Sequence, residues 1–540
     1  MRSFLPQVSL QFDVAKTVKN SVAKLVDVFV DSFFVFIDKP LLPSKSNFAP
    51  VEELREAIIV SSIQGQIPKD FPEGVYIRNG SNPLFGGLKS TNSIFGKSSH
   101  IWVEGEGMLH ALYFQKSSHG AWNIIYNNKH VETETYNLEK QRNKPLFLPA
   151  AEGHSLAILF AYLLNWLRSG TVNKYLSNTN VFEHSGKFYS VAESHMPQEI
   201  DIFSLKTLNN WELSAAWNRP FASHPKKAPT TEELVIFGFS PTKPYVVVGI
   251  ISADGRKLVH KVDIKLKRCS LCHDIGVTQR YNVIMDFPLT IDLMRVLRGG
   301  PLMKYDKKDY ARIGVMPRYG NAESIKWFEV EPNCTFHIIN SFEDGDEVVV
   351  RGCRSLDSLV PKPDPCSKEF DCLSRSYEWR LNMQTGEVKE KDLCGEKVVY
   401  MDFPMINENF VGIKHRYAYT QVVDHIASST TQDVQKYRGL AKLYFEEEMV
   451  EKDEGIKVGY HMFEKNTYCN GAAFVARDGG VEEDDGWIIT FVHNEDTNKS
   501  QVHIIDTKNF CGETVAKIEM PCRVPYGFHG AFMPILFQDQ

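Results

Sequence analysis

The chain of 540 residues lacks any apolar run of the ~20 residues that a helix needs to cross a bilayer. Its most apolar stretch, Ser155 to Leu167 (SLAILFAYLLNWL), holds thirteen. Positive charge is not in excess: 61 Lys and Arg against 67 Asp and Glu leave a net charge of -6, which argues against a nucleic-acid-binding surface. No basic, apolar and small-residue leader opens the chain, so secretion is not expected. The ten cysteines are then expected as reduced thiols rather than a disulfide framework. Only one CxxC word occurs, Cys269-Ser270-Leu271-Cys272. A zinc ribbon needs a second such pair and a thioredoxin site needs a βαβ setting, so both are read as strand cysteines. Asn333-Cys334-Thr335 fits a glycosylation sequon but stands two residues before His337, where a glycan would obstruct any site built on that histidine; the match is read as chance.

What is present is ordinary for a soluble globular protein: 43% apolar and 24% charged residues. The aromatic content of 12% suits a β-rich chain or one with an apolar cavity. From about residue 74 onward, β-branched and aromatic runs such as GVYIRNG, ELVIFGFS, YVVVGIISADG, EVVVRGCR and WIITFVHNED are punctuated by Gly, Asp, Asn or Pro. SADGRK and QTGEVK read as hairpin connections. Short strands continue for over 400 residues, more than a sandwich holds; radial repetition in a β-propeller houses that number in one domain. No clean blade repeat is legible, so the expectation rests on strand number.

The first forty residues carry a different pattern. Val14, Val18, Val22, Leu25, Val26, Phe29, Val30, Phe33 and Phe34 recur at 3.6-residue spacing, predicting an amphipathic helix over 14–37 that ends at Lys39-Pro40. Two readings are open: a helix packed on its own domain, or one lying in a membrane interface. The 155–167 stretch has the same two readings, a buried core helix or a segment dipping into one leaflet with Trp166 and Arg168 at the edge.

Four histidines stand in separate, strand-like words: FASHPK (His224), SLCHDIGVT (His273), NCTFHIINSFED (His337) and VPYGFHGAF (His529). No pair has the i,i+4 spacing of a helical metal site. Their separations of 49, 64 and 192 positions (224 to 273, 273 to 337, 337 to 529) require the fold itself to gather them. A lone histidine is usually structural, and this chain has 17. An all-imidazole site is neutral, leaves a bound divalent ion its full charge, and suits Fe, Zn, Cu or Ni.

Taken in order, YIRNGSNP (Tyr76 to Pro83), VEGEGMLHALYF (Val103 to Phe114), the four histidine words, MDFPMINENFVGIKHRYAY (Met401 to Tyr419) and VPYGFHG resemble the carotenoid cleavage dioxygenases, in a plant-like version, from Asn47 to the C-terminus. The resemblance implies an all-β fold, a seven-bladed β-propeller with a helical cap and an N-terminal amphipathic helix. It divides the chain into a membrane-associating segment, 1–46, and a dioxygenase domain, 47–540, with an apolar helical insertion near 150–170. It implies one Fe(II) per chain on His224, His273, His337 and His529, and O2-dependent cleavage of a conjugated C=C of a carotenoid or apocarotenoid into two carbonyl products. It also implies an apolar patch, here Phe29, Phe33, Phe34, Leu163 and Trp166, that takes substrate from a membrane.

Metal-bound histidines normally donate their second N–H to a carboxylate or carbonyl. The family supplies three glutamates for this. Glu193 in VAESHMP matches the first and Asp402 in MDFP the second, one methylene shorter. The third falls at Gly471 in CNGAAFV, which puts one ligand's support in doubt; a water or the acids of VEEDDG (Glu482 to Asp485) would have to compensate. A smaller conjugated substrate, a stilbene or alkenyl phenol, stays open, as does a weakened member that binds a lipophile without turnover. Trp102, Glu104 and Glu106 lie in a family word, and His110 beside them is read as structural. Lys414, His415 and Arg416 are read as wall or surface residues, and His493 and His503 as a hairpin pair rather than ligands. A plastid transit segment is rich in Ser and Arg and poor in acids; the dozen residues before the helix hold one Arg and two Ser ahead of Asp13. The expected location is the cytosol, peripherally on membranes, with the plastid as alternative.

Overall fold

A computed structural model describes residues 14–38, 46–101, 103–193, 195–211, 216–358, 372–395, 399–429, 435–448 and 455–537. The described residues are mostly β-structure with few helices. Four separate four-stranded antiparallel sheets follow one another along the chain, over 180–210, 226–264, 276–330 and 334–392. A nine-stranded sheet follows over 401–519, its two halves joined through the single pair Tyr437 and Cys469, and it takes in the early strand Ile63–Gly65. A five-stranded sheet combines Ile58–Ile59, Gly74–Ser81, Gly107–Lys116 and Trp122–His130 with the C-terminal strand Gly530–Pro534. A strand from near the C-terminus thus pairs with one from the first hundred residues.

Burial explains which runs became which strands. Leu234–Phe239 and Val246–Ile251 are buried on nearly every residue, as strands covered on both faces must be. Their outer neighbour Leu258–Ile264 alternates half-buried and exposed side chains, the period-2 pattern of a strand with one face in water. Each core is shared between successive sheets or, for Leu440 and Ile488, between the two halves of the nine-stranded sheet. Phe182 and Val191 pack with Ile236 and Val247, Val235 and Val248 with Ile275 and Ile284, and Val283 and Ile313 with Val350 and Trp379. Ile339 and Cys353 then meet Met401 and Ala418, Leu440 meets Ile488, Trp487 and Ile504 meet Phe71 and Phe114, and Ile77 and Ala111 meet Val181 and Ile200.

The helices α1 (Val14–Phe33), α2 (Glu134–Arg142), α3 (Ser155–Ser169) and α4 (Leu293–Leu297) gather on one side. Val30 on α1 packs with Ile158, Ala161 and Leu164 of α3 and Val296 of α4. Asp27 bridges Arg142 at 2.5 Å and Arg168 at 2.8 Å, and Lys144 reaches Asp31 at 2.9 Å. Three corrections follow. The helix stops at Phe33, because the FVFID run Phe34–Asp38 pairs antiparallel with Lys89–Ser93 instead. Phe34 is therefore buried beneath the cap rather than exposed with Phe33. Arg168 is buried on Asp27, not placed at an edge. No helix among the described residues is long and apolar enough to cross a membrane. The cysteines of the CxxC word are free and buried, Cys269 bonded to the Ser240 carbonyl and Cys272 to that of Met285. Asn333 is fully buried, so its sequon is closed in the folded chain.

Candidate metal centre

Each of the four histidines sits at or just before an edge strand of a different sheet. His224 precedes Lys226–Lys227, His273 precedes Gly276–Val277, and His529 directly precedes Gly530–Pro534. His337 lies within Cys334–Asp344, at an irregularity where pairing with the next strand skips from Thr335 to Ile338. One ligand atom from each of the four lies within 4.8 Å of the others. The ring centroids of His224 stand 4.7, 5.3 and 4.4 Å from those of His273, His337 and His529.

Carboxylates orient two of the rings. Nδ1 of His273 is 2.5 Å from Oε1 of Glu193, and Nδ1 of His337 is 2.7 Å from Oδ1 of Asp402. Asp402 is itself fixed by the Phe403 N–H at 2.8 Å and the Ser374 hydroxyl at 3.0 Å. With both Nδ1 atoms engaged, the Nε2 atoms turn inward; those of His224 and His273 are 3.1 Å apart, and Nε2 of His337 is buried with no hydrogen-bond partner among the described residues. Burial, and then the neighbouring imidazoles, push His224 and His529 well below the usual imidazole range. Burial also opposes the charged form of His273, but the Glu193 carboxylate outweighs it and raises that imidazole. Burial works against the ionised forms of Glu193 and Asp402 too, yet His273 and His337 hold both below the ordinary carboxyl value. Converging imidazoles, two of them kept neutral, with an orphaned inward nitrogen and carboxylates behind, fit a divalent transition metal.

The third support is missing for a structural reason. Gly471 has φ +64, and a Cβ there would lie 2.2 Å from Cγ of the fully buried Arg78. Among the described residues, neither His224 nor His529 has a carboxylate partner. The VEEDDG acids do not compensate: Glu483 accepts the Arg416 and Tyr417 N–H groups, Asp484 pairs with Lys442 and Asp485 with Lys508. His110 bonds the Tyr126 hydroxyl at 2.7 Å and His493 the Ser500 hydroxyl, apart from the cluster. Glu104 pairs with His100 and Glu106 with Lys174, while Trp102 lies outside the described residues. His415 is buried against Arg351 and Phe445, which corrects its reading as a wall or surface residue; Lys414 and Arg416 are exposed.

Sequence reasoning missed the aromatic side of the site. Phe403, inside the MDFP word, has φ +53, a strained conformation for a bulky residue of the kind that collects at functional sites. Its ring stands 4.7 Å from that of His529 and 5.1 Å from that of His337. Phe403 also lines a cleft with Phe48, Tyr437, Tyr468, Tyr526 and Phe528. A residue squeezed between a buried acid and a proline was the available signal. Of the expected apolar patch, Phe33, Leu163 and Trp166 are exposed while Phe29 is half-buried. Leu25, Val28, Met294 and Leu297 extend it as further i,i+3 pairs on α1 and α4.

The family described as Retinal pigment epithelial membrane protein matches residues 48–534. A carotenoid 9,10(9',10')-cleavage dioxygenase of Crocus sativus is 31% identical, over 96% of this chain and 94% of that protein. A chloroplastic 9-cis-epoxycarotenoid dioxygenase of rice is 28% identical, over 95% of this chain and 79% of that protein. The lignostilbene dioxygenase of Pseudomonas brassicacearum shares the fold, with a TM-score of 0.76 at 20% identity, over 92% of this chain and 99% of that one. The chain therefore belongs to this family, that of the carotenoid cleavage dioxygenases, and is an enzyme of the dioxygenase class.

Proposed function

We propose that this enzyme uses Fe(II), held by His224, His273, His337 and His529, to cleave one conjugated C=C of a carotenoid or apocarotenoid. The observation that carries the reading is the cluster of four converging imidazoles beside an aromatic cleft. When bound, the iron supplies the electron density that lets O2 react with an uncharged polyene; both oxygen atoms enter the products, so one C=C and one O2 give two C=O groups. Glu193 and Asp402 hold the Nδ1 protons of His273 and His337 and keep their Nε2 lone pairs aimed inward. Phe403 and the other cleft aromatics exclude water and lie flat to a polyene, so cleft depth chooses which bond is presented. The successive sheets, with the nine-stranded one divided at Tyr437 and Cys469, make seven units of four or five strands with seven cores between them, and this supports a seven-bladed propeller closed by the C-terminal strand, with the helices as its cap.

Residues 1–46 serve in this reading as a membrane-associating segment attached to a dioxygenase domain, 47–540. The exposed apolar side chains of α1, α3 and α4 rest on a membrane surface, so that a water-insoluble substrate passes directly into the cleft. The compartment we assign is the cytosol. Iron analysis and O2 consumption on a panel of carotenoids, apocarotenoids and stilbenes test the reading. It expects one Fe(II) per chain and two carbonyl products, with His337→Ala folded but inactive. Wild-type turnover by His337→Ala, or turnover confined to the stilbenes, sinks it; binding of a polyene without O2 uptake by the iron-loaded protein identifies a non-catalytic member.

A further inference from the structure

Asp274 follows directly on His273, is almost fully buried, and takes no part in the support of that ring, which Glu193 provides. Its carboxylate reaches three ligand-bearing segments at once. Oδ1 accepts the Ile275 N–H of its own segment at 2.8 Å. Oδ2 accepts the N–H of Ile338, the neighbour of His337, at 2.9 Å. Lys226, two residues after His224, brings its ammonium to 3.1 Å from Oδ1 and 3.4 Å from Oδ2. The main chains of His224 and Asp274 also pair with each other as an isolated parallel bridge. These segments belong to three different sheets, whose edge strands are not hydrogen-bonded together as one sheet. The spacing of their histidines is not set by any continuous ladder. His529 is fixed separately, its N–H on the Thr179 carbonyl and its own carbonyl on the Asn79 N–H.

We propose that Asp274, clamped by Lys226, is a positioning residue for the metal centre: its carboxylate sets the distances between the segments that carry His224, His273 and His337. The proposal rests on the reading of the four histidines as ligands. A carboxylate has the acceptor capacity that three donors from three directions need, and ionised acceptors make the shorter and stronger bonds. A buried carboxylate is costly unless paired and hydrogen-bonded; here the pairing cation comes from a segment that itself carries a ligand. Losing the carboxylate leaves the Ile338 N–H and the Lys226 ammonium unpartnered and lets the three segments drift, without touching any ligand atom.

The test is metal binding by the full chain, with Co(II) as probe because its visible absorption reports ligand geometry. Asp274→Ala is expected to weaken Co(II) binding roughly 10–100-fold, the usual loss for residues behind the ligands, and to change the absorption bands. Asp274→Asn, which keeps one acceptor for the Ile338 N–H, is expected to recover part of both, and Lys226→Met to lie between Asn and wild type. Wild-type affinity and an unchanged spectrum in either Asp274 variant would overturn the proposal and leave a purely structural role. If Asp274→Ala does not fold, Asp274→Asn and Lys226→Met decide on the same readouts. His337→Ala is the control for the underlying reading: unaltered Co(II) binding there removes the four-histidine site itself, whereas its loss there with unaltered binding in the Asp274 and Lys226 variants removes only the clamp.

Discussion

Adding the missing glutamate at Gly471 should damage the protein rather than improve it. Any side chain at 471 must accept φ +64, which costs an L-residue about 1–2 kcal/mol. Its Cβ would also stand 2.2 Å from Cγ and 2.8 Å from Cδ of Arg78, against a normal carbon–carbon contact of about 3.5–4.0 Å. Arg78 has nowhere to retreat: it is fully buried, with Nη1 donating to the Pro525 carbonyl at 2.7 Å and to Asn470 at 3.2 Å. Overpacking of this kind costs a further ~1–3 kcal/mol, so Gly471→Ala alone should destabilise by about 2–5 kcal/mol, and Gly471→Glu by at least as much. Urea denaturation followed by tryptophan fluorescence measures it. In an Arg78→Ala background, where Cγ and Cδ are gone, the cost of Gly471→Ala should fall by about 1–3 kcal/mol, the coupling expected of residues in contact. Wild-type stability in Gly471→Ala, or a Gly471→Glu protein that folds normally and retains iron more tightly, would refute the reasoning: Arg78 would then move aside and leave a usable carboxylate position.

Glu193→Gln and Asp402→Asn should each cost roughly 10–100-fold in metal affinity, read by competition with a chelator; unchanged affinity would separate these acids from the ligands they touch. Burial holds His415 and His503 at about 3 and His493 at about 4. These are depressed values, so the unfolded chain takes up protons first, and stability should fall as pH drops below ~6.5, by up to about 1.4 kcal/mol per pH unit for each group. Flat stability between pH 6.5 and 5 in denaturant titrations would contradict it. Leu163, Trp166 and Leu297 changed together to Ser should weaken liposome binding at least tenfold with little loss of fold, whereas Phe34→Ser should lose about 3–5 kcal/mol, as other deletions of a buried phenylalanine do. Liposome binding undiminished in the triple variant would exclude this face as the membrane contact.

Strand content and the four histidines that cluster were legible in the sequence because both leave local marks. A buried strand needs a β-branched or aromatic run, as in Leu234–Phe239, and each histidine came inside a distinctive word. The boundary at Phe33 was not legible: apolar spacing continues through Phe34, and only the partner strand Lys89–Ser93, far along the chain, turns FVFID into a strand. Burial of Phe34 and Arg168 had the same origin, since the face α1 presents depends on α3 and on Asp27. The clamp at Asp274 was invisible because its donors come from Lys226 and Ile338, 48 and 64 positions away. The conspicuous acidic run, Glu482 to Asp485, is not such a site: Glu483, Asp484 and Asp485 are spent on the Arg416 N–H, Lys442 and Lys508.

Charge closure gives the absent glutamate a physical meaning. As ligands of a metal, four imidazoles would be neutral and contribute nothing, Asp274 is balanced by Lys226, and Glu193 and Asp402 are both held below the ordinary carboxyl value. Two carboxylates behind four imidazoles match a divalent ion charge for charge, in a setting where each unbalanced charge is expensive. Where a third carboxylate would stand, this chain has backbone at positive φ and a buried arginine whose Nε and Nη2 have no hydrogen-bond partner among the described residues. The guanidinium makes the absence of a neighbouring cost-free cavity concrete: the space is filled, and by a cation. On the iron reading, His529 is then a ligand held by main-chain bonds from Asn79 and Thr179 rather than by an acid. Its grip on the metal should be weaker than that of His273 or His337, whose rings Glu193 and Asp402 support, so that His529→Ala retains more Co(II) affinity than His273→Ala or His337→Ala. Equal losses in all three variants, measured by the same chelator competition, would mean that the two carboxylates orient rings without strengthening them.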